Sequence, residues 1–337
     1  MKIGIIKLGA DGDVLRTLPL AIALKKTYKA HITWITKGDI SSLLKGMECI
    51  DELEVIPYTK KEKFDKLYNF DLEEDACNLA EHIVAGEKFG FYRQGGYPVA
   101  YNSGAEYYLN TVFDDALKKE NKKTYQEMMF MVAELPYTMK EIAHITLTKK
   151  ELMYAREFGA KHALRTGRII GLHMGASSRW PSKVWSTENV KEFIIKAKKK
   201  GYDILLFGGP NEKEQHTQLV HDLTQEGINI AQNNPMNTKR EFAALVDICG
   251  VMVCSDSLSL HVSLCRAKET VGLFFCTSPD EVEDYNGMLT KIVSPQLYDF
   301  FPERMNEYNE KLVNSIRVDD VLNAVMKKML WRPKTTK

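Results

Sequence analysis

The chain has 337 residues, enough for two domains of ordinary size and a substantial core. Hydrophobic residues make up 44% and charged residues 27%, with 46 Lys and Arg against 45 Asp and Glu for a formal net charge of +1. That balance argues against a dedicated nucleic-acid binder, which carries a basic excess, and against a disordered acidic chain. No apolar stretch reaches the roughly 18 residues that a membrane helix needs. The N-terminus reads as a strand running into a loop rather than as a leader peptide. Cys49, Cys77, Cys249, Cys254, Cys265 and Cys276 form no CxxC pair, which points away from structural zinc and towards reduced thiols in the cytoplasm.

Taken in chain order, strand-like and helix-like segments alternate, the pattern of an α/β protein. Lys2 to Leu8 is an apolar run suited to a buried parallel strand. Leu18 to Lys26 has helical character, with Pro19 expected in the first turn, where its missing N–H costs little. His31 to Ile35, Leu53 to Ile56 and Leu67 to Phe70 read as further strands. Residues 87 to 137 are rich in aromatics, among them Phe89, Phe91, Tyr97, Tyr108 and Tyr125. These suit either a packing layer under loops or a face that stacks on sugar rings. Leu147 to His162 reads as a helix capped by Thr148 with Glu151 three residues on. Arg165 to Gly167 reads as a linker, after which a second alternating series begins. Its strands are Arg168 to His173, Tyr202 to Phe207, Ile228 to Ala231, Val251 to Cys254 and Thr270 to Phe275. Its helices are Ser186 to Lys200 ending at Gly201, one following Gly208-Gly209-Pro210, then Lys239 to Ile248, Ser257 to Arg266 and Val318 to Leu330. The expected organisation is therefore residues 1–165, residues 166–320, and a terminal helix with a basic tail over 321–337.

Ligands of open parallel sheets bind beyond the carboxyl ends of strands, so the loops after strands carry the chemistry. After the first strand stands Gly9-Ala10-Asp11-Gly12-Asp13. It lacks the GxGxxG dinucleotide pattern, and Asp13 suits equally a helix N-cap or a general base. After the strand at 168–173 stands Gly175-Ala176-Ser177-Ser178-Arg179-Trp180-Pro181-Ser182-Lys183. Its small residues, hydroxyls and two cations are equipment for a diphosphate, or else an incidentally basic surface loop. Cys254-Ser255-Asp256-Ser257-Leu258-Ser259-Leu260-His261 joins a strand to a helix N-terminus, a ready place for phosphate oxygens. Asp256 there is either a cap or an acceptor for sugar hydroxyls, and His261 either packed or functional. Glu212 after the strand at 202–207 suits ribose hydroxyls or the helix dipole. The tail residues Lys327, Lys328, Trp331, Arg332, Lys334 and Lys337 are either a solvated terminus or a contact for an anionic membrane leaflet.

Together these motifs resemble glycosyltransferase family 9, the heptosyltransferases of lipopolysaccharide assembly. KLGADGDVLRTLPL is similar to the family's K-x-G-x-x-G-D-V-L-x-T-x-P signature, and GASSRWPSKVW to its donor loop. CSDSLSLHVSLCRAKETVGLFF followed by Thr277-Ser278-Pro279 is similar to its (S/T)-D-(S/T)-x-x-x-H segment. The sequence departs at Leu258, where well-known members place a glycine, and the aromatic segment does not match their acceptor region. The resemblance implies a GT-B fold, two Rossmann-like domains facing a central cleft, with an N-terminal acceptor domain and a C-terminal donor domain. It implies inverting, metal-independent transfer from a nucleotide sugar, ADP-heptose foremost, to a lipopolysaccharide or related glycan acceptor at the inner face of the membrane. The nucleotide sugar is then a substrate, and no cofactor is expected. Asp13 matches the catalytic base; Ser177, Ser178, Lys183, Glu212, Asp256, Ser257, Leu258 and His261 match donor-binding positions. A nucleotide-sugar epimerase of the same fold and a non-catalytic nucleotide-sugar binder are the competing readings.

Overall fold

The structure, a computed structural model, describes residues 1–138, 141–175 and 179–330. It divides into two units, Met1–Thr146 with Asp280–Tyr285, and Leu147–Pro279 with Asn286–Lys337. None of the helices among the described residues is long and apolar enough to cross a membrane. All six cysteines are free and buried.

The first unit runs β1 (Lys2–Ile6), α1 (Asp11–Tyr28), β2 (His31–Thr36), α2 (Gly38–Leu44), β3 (Glu52–Val55), β4 (Lys63–Asn69) and α3 (Glu74–His82). There follow β5 (Val84–Gln94), β6 (Tyr97–Ala100), α4 (Ser103–Phe113), α5 (Asp115–Glu120) and α6 (Tyr125–Val132). The sheet order is β3-β2-β1-β4-β5-β6, parallel except for the β5–β6 hairpin. The central strands bury apolar side chains on their covered faces: Ile3, Ile5, Ile6, Trp34, Phe64 and Tyr68 are fully enclosed. The hairpin turns on Gly95 and Gly96, whose φ values of +61° and +87° are those a two-residue primed turn demands. Asp280–Tyr285 belongs to this unit through Lys122 Nζ to Asp280 at 2.8 Å and Tyr137 Oη to Glu283 at 2.6 Å.

The second unit runs α7 (Lys149–Lys161), β7 (Ile169–His173), α8 (Thr187–Lys199), β8 (Asp203–Phe207), α9 (Lys213–Gln225), β9 (Ala231–Gln232) and α10 (Lys239–Asp247). It continues with β10 (Val251–Ser255), α11 (Leu258–Cys265), β11 (Glu269–Phe274), β12 (Leu289–Val293), α12 (Leu297–Phe300), α13 (Glu310–Val313) and α14 (Val318–Leu330). The order β12-β11-β10-β7-β8-β9 is parallel throughout. Its core joins Ile170, Leu172, Val251 and Val253 of the sheet to Phe193 and Ile194 of α8 and Val321 and Val325 of α14. Both units thus carry the doubly wound order, with the chain direction across the sheet reversing between β1 and β4 and between β7 and β10.

Three expectations need correction. α1 begins at Asp11, straight after the Gly9-Ala10 turn, so Pro19 lies in the helix interior rather than in its first turn. Val14, Leu15, Leu18, Leu20, Ala21 and Leu24 are all buried, and this packing outweighs the roughly 3 kcal/mol that proline costs inside a helix. The division falls after Thr146 rather than at 165, because α7 packs on α10 of the second unit. α14 is not a separate appendage: Val318, Val321, Leu322 and Val325 are part of the second unit's core. The aromatic segment is chiefly a packing layer, with Phe89, Phe91 and Tyr125 buried, although Tyr97 at the hairpin is exposed.

The α7 N-terminus shows how the second unit is closed. Thr148 and Glu151 form the expected capping box, and Glu151 also receives Arg240 of α10, with Nη2 to Oε2 at 2.8 Å. The Arg240 hydrogen bonds hold the Glu151 carboxyl at a pKa of about 2 against an ordinary 4.5, in spite of the opposing effect of burial. A depressed folded-state pKa gives stability that is fully present above about pH 4.5 and is lost as pH falls towards 2. Glu151→Gln should therefore flatten the acid limb of a stability–pH curve measured by urea unfolding. Equal slopes for variant and wild type would show that the Arg240 pair carries no linkage.

Candidate functional site

In the first unit, Lys7 directly follows β1 and Asp71 lies two residues past the end of β4, on either side of the strand-order reversal. The two side chains meet with Lys7 Nζ 2.6 Å from Asp71 Oδ1, only 3% and 6% exposed. The other carboxylate oxygen accepts the Leu8 N–H and, at 2.7 Å, the Gly9 N–H, so Asp71 holds the loop after β1 in its turn. Burial by itself lowers the Lys7 pKa, but the neighbouring Asp71, then Tyr125 and Asp13, hold it well above its ordinary value. Lys7 therefore stays an ammonium ion.

This loop delivers Asp13 to the first turn of α1. Ala10, not Asp13, is the N-cap residue: its carbonyl accepts Asp13 N–H at 2.8 Å and Val14 N–H at 3.1 Å. The Asp13 carboxylate is 31% exposed and pairs with Arg16 Nη2 at 2.9 Å. Arg16 stacks on the Tyr125 ring, with its guanidinium carbon 3.8 Å from the centroid. Burial pushes the phenols of both Tyr125 and Tyr108 up, keeping them protonated.

In the second unit the corresponding loops follow β7 and β10. Lys183 ends the short 3₁₀ turn Pro181–Lys183, which Ser182 anchors by donating to the Glu307 carbonyl and accepting Asn309 N–H, both at 2.8 Å. Trp185 fixes the same loop through its indole N–H to the Ile316 carbonyl at 3.0 Å. Lys183 Nζ lies 3.1 Å from Asp256 Oδ2, and His261 Nε2 lies 3.8 Å from Asp256 Oδ1. Lys183 and His261 thus both approach Asp256, and the N-cap position falls on the next residue. The N-cap of α11 is Ser257, whose hydroxyl meets Ser255 O at 3.3 Å and Ser259 Oγ at 2.8 Å rather than capping the helix amides. Leu258 is the first helical residue and is partly buried. Ser177 and Ser178 lie outside the described residues. Arg179 stacks on Trp180, 4.6 Å from its ring centroid.

Glu212 sits where the loops after β7 and β8 converge. Its Oε2 accepts Gly209 N–H at 2.7 Å, and a Cβ on Gly175 would come within 2.8 Å of its carboxyl carbon. Gly175 is thus needed for close approach of the two loops. Behind them His173 is partly buried, and desolvation pushes its pKa down to about 4, so it is neutral at pH 7.

The sequence singled out Asp13, Lys183, Asp256 and His261 as candidates, of which the structure brings the last three together, and it did not single out Lys7, Asp71 or Arg16 or pair Tyr125 with Arg16. A lysine ending an apolar strand and an aspartate just after a buried one were readable signals; the Arg16–Tyr125 stack, spanning more than a hundred residues, was not. Cys276 was also missed: it lies within electrostatic reach of Lys183 and Asp256, its thiol raised by burial to about 11 and therefore inert. Of the tail, Lys328 is tied to Glu269 at 2.5 Å, while Trp331, Arg332, Lys334 and Lys337 lie outside the described residues.

Two doubly wound units, each with a Lys–Asp pair where its strand order reverses, make the architecture of the GT-B fold class. A structure of a family 9 glycosyltransferase from Veillonella parvula matches with a TM-score of 0.80 at 21% identity, over 98% of this chain and 97% of that one. The E. coli ADP-heptose lps heptosyltransferase II matches with a TM-score of 0.70 at 18% identity, over 98% of this chain and 99% of that one. Residues 113–311 match the family model for glycosyltransferase family 9 (heptosyltransferase), more than half of the sequence, and the chain belongs to that family. The lipopolysaccharide heptosyltransferase 2 of Salmonella typhimurium is 29% identical over 115 residues. That alignment covers 34% of this chain and spans about a third, 32%, of the relative's length. The family match contains Lys183, Glu212, Asp256 and His261, whereas Asp13 precedes it.

The Lys7–Asp71 pair yields a stability prediction. Asp71→Ala leaves an ammonium ion and two amides buried without their carboxylate, and should cost about 3–5 kcal/mol in denaturant unfolding. A Lys7→Met, Asp71→Leu double variant should recover only part of this, because the Leu8 and Gly9 amides remain unpaired. A loss below about 1 kcal/mol for Asp71→Ala would show that the pair is not structural.

Proposed function

We propose that this protein is an inverting glycosyltransferase that moves a heptose from ADP-heptose onto a lipopolysaccharide or related bacterial glycan acceptor. The observation that carries the reading is the Lys183–Asp256–His261 constellation at the start of α11, in a chain of family 9. The names of its relatives, a lipopolysaccharide heptosyltransferase and an ADP-heptose lps heptosyltransferase, support the choice of donor and acceptor class.

In this reading the Asp13 carboxylate takes the proton from the acceptor hydroxyl as that oxygen bonds to the anomeric carbon of the donor. The bond from that carbon to the diphosphate oxygen breaks, and its electron pair leaves with ADP. Attack opposite the leaving group inverts the configuration. The developing charge on the diphosphate is met by the Lys183 ammonium and the N–H groups opening α11, which are fixed before the reaction and reorganise little. Lys183 lies 3.1 Å from Asp256, a partner it can share with a phosphate oxygen. Asp256 accepts hydrogen bonds from the sugar, Glu212 from the ribose, and His261 steadies Asp256. With charge stabilised by these groups, transfer is expected to need no metal ion.

The test is release of ADP from ADP-heptose in the presence of a core-glycolipid acceptor, with GDP- and UDP-sugars run alongside. Asp13→Ala should lower kcat about 10²–10⁴-fold, and activity should survive EDTA. An alanine variant as fast as wild type would refute the assignment of the base. Interconversion of a nucleotide sugar without acceptor would favour an epimerase.

A further inference from the structure

We propose that Arg16, clamped by the Tyr125 ring, is the positioning residue that orients Asp13 as a base; this rests on the reading of Asp13 given above. Arg16 stands one turn beyond Asp13 on α1, a spacing that on an exposed helix gives an ion pair of little consequence. Here the arginine is not exposed. Its side chain is 15% accessible, less than the 31% of the carboxylate it holds, so the guanidinium lies between Asp13 and the fold interior. The face opposite solvent is taken by Tyr125, 3.8 Å from the guanidinium carbon, with the ring fully buried. An arginine plane stacked on an aromatic ring has lost its rotamer freedom and presents its N–H groups in one direction.

The clamp is itself fixed from several sides. Tyr125 of α6 meets Tyr108 of α4 edge-on at 5.8 Å, and Lys7 Nζ lies 5.9 Å from its centroid. One ring therefore lies beside two cations, each held by its own carboxylate, Asp71 for Lys7 and Asp13 for Arg16. The turn that carries Asp13 is tied to the same ring. Thr17 Oγ1 donates to the Asp13 carbonyl at 2.6 Å and lies 3.4 Å from the Tyr125 hydroxyl. Three elements distant in sequence thus determine how one carboxylate is presented.

Among the charged and titratable groups around Asp13 are Arg16 on its own helix, Lys7 after β1 with its partner Asp71, Tyr108 of α4 and Tyr125 of α6. A cation beside a carboxylate favours its ionised form, so loss of Arg16 must move ionisation of the base towards neutrality. In Arg16→Ala, the acidic limb of the kcat–pH profile should rise by about one pH unit, and kcat at pH 7.5 should fall about tenfold, with the donor KM changed less than about twofold. Arg16→Lys keeps the charge but not the planar stack; its limb should return close to wild type and its kcat should be intermediate. Circular dichroism and thermal melting establish that both variants fold. An Arg16→Ala limb that coincides with wild type, whether or not kcat falls, overturns the positioning role. If that occurs while Asp13→Ala is inactive, only this inference fails; if Asp13→Ala is active, the base assignment fails and this inference with it.

Discussion

Where the strand order of a parallel sheet reverses, the two loops on either side part in opposite directions and leave the carboxyl ends of two central strands uncovered. Both units of this protein are built on that constraint, at β1 and β4 and at β7 and β10. The residues that emerge there are surrounded by apolar strands, yet they are lysines and aspartates. An isolated charge in such surroundings would be prohibitively costly, so each unit places opposite charges together. Lys7 meets Asp71 in one and Lys183 meets Asp256 in the other.

The two pairs differ in how they are satisfied. Asp71 is saturated by an ammonium ion and two backbone amides, and its work is to hold the loop that launches α1. Asp256 lies 3.1 Å from Lys183 and 3.8 Å from His261, beside the start of α11. The first is a structural fastening, while the second is the more accessible of the two, its lysine and aspartate 14% and 15% exposed. The same topology thereby carries a fixed loop before α1 in one unit and a more accessible charged cluster beside a helix start in the other.

Much of this was legible in the sequence because it is local. Apolar runs placed the central strands, the Thr148–Glu151 capping box placed the start of α7, and Gly201 with φ +80° ended α8. The loop signatures around Asp13, Lys183 and Asp256 were legible for the same reason, since residues a few positions apart in a strand–loop–helix turn stay together when folded. Pro19 misled, because local helix propensity is weaker than the burial of the α1 apolar face. The domain boundary misled as well. α7 follows a helix-like pattern whichever unit it joins, and only its contacts with α10, such as Glu151 with Arg240, assign it to the second.

The sequence by itself determined the α/β class, the two series of strands and the identity of the charged residues at the strand ends, all consequences of short-range pattern and motif. Tertiary structure alone decided which of those charges meet. Asp71 reaches Lys7 across more than sixty residues, and Tyr125 reaches Arg16 across more than a hundred. Nothing in local propensity encodes such pairings, because they arise only when β4 is laid beside β1 and α6 is packed against α1.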